Sequence, residues 1–77
     1  MKKGRFRELG LFSTASGDII VWTLESLDKP ADYKTMVCFP KHDLEGYKTV
    51  AKAENEINAR KNHYTWIKRL VFKSIIK

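Results

Sequence analysis

Three side chains in this sequence could ligate a soft metal or serve as an imidazole base: Cys38, His42 and His63. Their spacing matches no zinc pattern, which calls for thiolate and imidazole ligands in close pairs. Asp28 with Asp32, and Asp43 with Glu45, can touch a cation. No calcium-loop spacing surrounds either pair, and charged turn residues account for both. Cys38 lies beside Phe39 in a run of strand-forming residues, where a thiol acts as a small buried hydrophobe. Ser13, Thr14 and Ser16 sit in a turn, with no motif tying them to a histidine and an acid. Glycines at 4, 10, 17 and 46 are scattered and form no phosphate-cradling loop. The expectation is a protein that is not an enzyme, with no metal and no cofactor.

Basic residues interleaved with aromatics carry more information. Arg60-Lys61-Asn62-His63-Tyr64-Thr65-Trp66-Ile67-Lys68-Arg69 holds four cations, a histidine and two aromatic rings. Nucleic-acid binders use this mixture because cations neutralise phosphates while rings stack on bases. Charge is also segregated along the chain. Residues 1–7 carry +4, and residues 8–56 hold five lysines against all nine acids. Residues 57–77 carry +6 with no acid at all. If the termini meet, as they often do in compact domains, one face is strongly positive. The sequence therefore predicts a nucleic-acid-binding protein. Its phosphate contacts would be Arg5, Arg7, Arg60, Lys61, Lys68, Arg69 and Lys73, with Tyr64 as a stacking group, and Lys2 and Lys3 belong to a basic arm. The competing expectation is a non-enzymatic protein-binding module, such as a phage or mobile-element inhibitor of a host enzyme or defence complex. There the positive charge would steer the protein toward an acidic surface.

The stretch Glu45-Gly46-Tyr47-Lys48-Thr49-Val50-Ala51-Lys52-Ala53-Glu54 is similar to the segment where the amino-terminal arm-binding domains of tyrosine integrases enter their helix. That resemblance, which spans about ten residues of 77, implies a three-stranded sheet backed by a helix, with the sheet entering the DNA major groove.

The elements that must position these groups follow from periodicity. Seventy-seven residues with a net charge of +6, 43% of them apolar and 12% aromatic, make one small basic domain rather than a disordered tail. The longest clean apolar run, Ile19-Ile20-Val21-Trp22, is far too short to span a membrane. Residues 1–4 read as an arm and not as a secretory signal, and a single cysteine fits a cytoplasmic protein. Residues 5–13 are expected to form a strand with Phe6 and Phe12 on one face and Leu9 and Leu11 on the other. Residues 18–25 alternate Ile20, Trp22 and Leu24 against Ile19, Val21 and Thr23, the clearest strand pattern in the chain. Residues 33–39 resume that alternation and Pro40 stops it. Thr49 reads as the N-cap of a helix from Val50 to about Asn62, with Val50, Ala53 and Ile57 as its apolar stripe. Residues 64–73 fit either a strand or a helix, and their composition favours a strand. The expected architecture is α+β, in the order β-β-β-α-β, with the helix on one sheet face.

Overall fold

The computed structural model describes residues 4–41 and 46–76, with the helical side chains followed as far as Phe72. It is an α+β structure of four strands and then one helix: β1 (Phe6–Ser13), β2 (Ile20–Ser26), β3 (Tyr33–Cys38), β4 (Lys48–Ala53) and α1 (Glu56–Ile76). The strands form one antiparallel sheet in the order β1-β2-β3-β4. The order β-β-β-α-β is thus overturned at both of its last elements.

The first correction concerns residues 48–53. Their alanines and lysines are good helix formers, but β3 needs a partner for its second edge. Pairing Tyr33 with Ala53, Lys34 with Lys52 and Thr35 with Ala51 supplies it. Tertiary pairing outweighs local propensity here. The stretch that resembles the integrase helix entry is therefore largely strand, and Thr49 caps nothing. The cap is Asn55, whose Oδ1 accepts the Asn58 amide at 2.9 Å while its carbonyl accepts the Ala59 amide at 3.0 Å. Glu54 and Asn55 alone separate strand from helix.

The second correction concerns residues 64–73. They continue α1 for its full 21 residues, about 31 Å of helix. Asn62 does not stop it, and its Nδ2 instead donates to the Lys52 carbonyl at 3.4 Å. Ala59, His63, Trp66, Ile67 and Leu70 recur at helical spacing and face the sheet, which is what holds strand-forming residues in a helix.

Bulges interrupt both edge strands. Leu9 is skipped between Glu8 and Gly10, and Val50 between Ala51 and Thr49. The β1 bulge switches the faces, so Phe6 and Phe12 lie on opposite sides of the sheet rather than on one. Phe12 joins the core of Ile19, Val21 and Val37 under the helix, whereas Phe6 packs edge-on against Trp22 on the far side, with ring centroids 5.7 Å apart. Bulged edges also resist pairing with stray strands. Among the described residues no helix is long and apolar enough to cross a membrane.

Candidate functional site

Two surfaces and one buried cluster contain groups capable of recognition or chemistry. The buried cluster lies between α1 and the sheet. The Thr23 hydroxyl lies 2.8 Å from His63 Nδ1 and 3.0 Å from the Thr35 hydroxyl, so hydrogen bonds run from helix to β2 to β3. Gly10 of β1 leaves room for the imidazole, since a Cβ there would stand 2.9 Å from His63 Nε2. Burial, aided by the charge of Arg60, holds the His63 pKa below its ordinary value and keeps the ring neutral. The pair has the composition of a nucleophile and its base, but Thr23 and Thr35 are wholly enclosed and no substrate can reach them. His63 is therefore an internal polar strut. Cys38 is buried too, on the β3 face opposite Val37, while His42 lies outside the described residues.

The predicted phosphate-binding residues divide into three groups. Arg7 and Arg60 are committed to carboxylates. Arg7 donates to Glu25 and to Glu56, each at 2.8 Å, and Arg60 donates to Glu56 at 2.9 Å. Those two guanidinium groups hold the Glu56 carboxyl below the usual carboxylate range and pin the start of α1 to β1 and β2. Arg5 pairs with Asp28, its amide donating to Oδ2 at 2.8 Å. The remaining group is assembled by the helix. Lys61, Tyr64 and Lys68 recur at three- and four-residue spacing on the outward face, with Tyr64 62% exposed. Arg69 flanks them, stacked over Trp66 at 5.3 Å. Neither Lys61 nor Lys68 makes an ion pair among the described residues. Trp66 itself packs inward. The side chain of Lys73 and residues Lys2 and Lys3 lie outside what is described.

Among the described residues the basic ends meet at Glu56, which holds both Arg7 and Arg60. Arg7 reaches the first turn of α1 through Glu56, whereas the later turns lie near Phe12, at the other end of β1.

The open face of the sheet is the second surface. It carries Phe6, Leu11, Trp22, Leu24, Met36 and Tyr47, and no element of the described chain covers it. Phe6 and Leu11 are more than half exposed, and Tyr47 tilts against Trp22 at 5.3 Å. The Trp22 indole N–H donates to Glu8 at 2.9 Å. On the same face Lys34 and Lys52 stand directly opposite one another. Like charges so placed are unfavourable unless something negative meets them. An open hollow of about 350 Å³ runs beside them, lined by Phe6, Leu24 and Met36 with Arg5, Asp32 and Lys34. The alternation of β2 indicated this face in advance, because Trp22 and Leu24 fall opposite Val21 and Thr23. What was missing was which side the helix would take.

The chain matches no known protein family, no curated protein and no solved structure.

Proposed function

We propose that the protein binds nucleic acid along the outer face of α1, without catalysis. Lys61, Lys68 and Arg69 would contact phosphates, and Tyr64 would lie against a base or sugar. One observation carries this reading: the outward helix face downstream of Glu56 holds cations and an exposed tyrosine with no acid to neutralise them. Lys61 and Lys68 are seven residues apart, about 10 Å along the helix, and a convex helix fits a duplex groove better than it cradles a single strand. Arg5, Arg7 and Arg60 drop out of the expected contacts because carboxylates already hold them. The free thiol of Cys38 is in keeping with a cytoplasmic setting.

The test is an anisotropy titration of labelled duplex DNA, single-stranded DNA and single-stranded RNA at about 50 and 200 mM salt. The unaltered protein should bind with a steep salt dependence and prefer the duplex. Replacing Lys61, Lys68 and Arg69 together by Gln should lower the salt slope by about three, one for each lost phosphate contact. Affinity and slope unaffected by that triple change would end the proposal. A second reading, a protein-docking module, draws its support from the apolar open sheet face.

A further inference from the structure

We infer that the open sheet face is a self-association surface, and that two copies pack it against itself as a two-fold dimer with the helices outside. Phe6, Leu11 and Tyr47 are exposed on it, and no helix or strand of the described chain lies over the half-buried Trp22, Leu24 and Met36 between them. A domain of 77 residues buries little of its chain alone, and pairing is a common way to add a second core. The occupant is chosen by how charge is arranged across the strands.

Two cross-strand rows cross this face. One runs Glu8, Leu24, Lys34, Lys52, and the next runs Leu11, Trp22, Met36, Thr49. A two-fold axis lying along the strands, midway between β2 and β3, lays each row on its own reversal. Glu8 of one copy then meets Lys52 of the other, and Lys52 meets Glu8. Trp22 meets Met36 in both directions, a favourable sulfur–aromatic contact. Lys34 lays its aliphatic stem over Leu24 and keeps its amine at the rim. The unfavourable Lys34–Lys52 neighbours thereby gain an acid that the described residues of the single chain do not give them. Sheets packed face to face cross at about 30°, which displaces a residue one and a half strands from the axis by only about 4 Å. Glutamate and lysine side chains span that offset. The outer face of α1 stays free, so the dimer and the nucleic-acid reading stand or fall separately.

A charge swap tests the arrangement. Sedimentation velocity over about 0.5–500 µM should show the unaltered protein moving from a 9.0 kDa species to one of twice that mass. Glu8→Lys alone and Lys52→Glu alone should each weaken the dimer by about tenfold or more, because each sets like charges face to face twice. The double variant Glu8→Lys/Lys52→Glu should recover most of that loss by re-forming both pairs with reversed sign. Lys52→Glu also places an acid opposite Lys34 within the chain, so its thermal midpoint, taken at a concentration where both proteins are monomeric, should hold while its dimer weakens, which separates dissociation from unfolding. A monomer at every concentration would overturn the inference and leave the face to a different protein. A dimer indifferent to both single changes, or a double variant no better than the singles, would overturn it as well.

Discussion

The two faces of the sheet are built from opposite materials. Under α1 the fully buried side chains are small: Val21, Thr23 and Thr35, with Gly10 admitting His63 and Ala59 bringing the helix close. On the open face stand Phe6, Leu11, Trp22, Leu24 and Met36, larger apolar side chains of which Phe6 and Leu11 are exposed and the other three half-buried. Burying apolar area yields roughly 25 cal/mol per Å², so the second face holds much unused stabilisation. The first face fixes the fold through close fit and a satisfied polar cluster. The second is suited to recognition. Substitutions should therefore separate sharply by side.

The largest effect is expected at Gly10. Gly10→Val would drive a branched side chain into the His63 ring, at a cost of about 2–3 kcal/mol. That corresponds to a loss of roughly 10–20 °C in thermal midpoint, readable by circular dichroism at a concentration where the protein is monomeric. Thr23→Val keeps the volume but leaves His63 Nδ1 without its partner. It should cost about 1–3 kcal/mol. Leu11→Ser on the open face is the counterpart, and it should change the monomer by less than about 0.5 kcal/mol while weakening self-association. If Leu11→Ser destabilised the monomer as much as Thr23→Val, the contrast between the faces would be wrong.

Acid should act on the covered face before the open one. The folded state holds the His63 pKa below its ordinary 6.5 through burial and the nearby Arg60 charge. Its neutral form is thus the one that folding favours, and the unfolded chain takes up the proton more readily. Stability is full above the unfolded value, starts to fall as pH drops through about 6.5, and keeps falling until the folded pKa is passed. Urea midpoints at pH 7.5 and 5.5 should show the loss, and His63→Gln should flatten it. The Glu56 carboxyl, held low by Arg7 and Arg60, contributes its loss only at still lower pH.

The smallest effect lies in the turn before β3, outside both faces. Ala31 adopts φ 53°, a left-handed conformation that a Cβ disfavours. Ala31→Gly should raise stability by about 0.5 kcal/mol, or 2–4 °C, after the glycine's own entropy cost. An unchanged midpoint would mean that the surrounding turn already relieves the strain.

The sequence made β2 and β3 legible because both are central, and their alternation records one covered and one open side. It misled at residues 48–53, where Ala51, Lys52 and Ala53 favour a helix and only the distant edge of β3 makes them a strand. It misled again after Asn62, because the residues that suit a strand at Tyr64, Trp66 and Val71 are held in α1 by the sheet beneath. Of the expected phosphate contacts, Lys61, Tyr64 and Lys68 share a face only once that helix is in place. The commitment of Arg7 was hidden because its partner, Glu56, meets it across 49 residues of chain, whereas the Glu56–Arg60 pair lies within one helical turn. Local composition identified cations; folding decided which of them remain available.

Trp22 reports directly on whether the open face is covered in solution. In a Trp66→Phe background Trp22 is the sole tryptophan of the chain. Its emission should shift to the blue and its quenching by iodide should fall as concentration rises through the dimer range. A Trp22 whose emission and iodide quenching stay unchanged up to hundreds of micromolar would contradict the claim that this face is built to pack against a second copy.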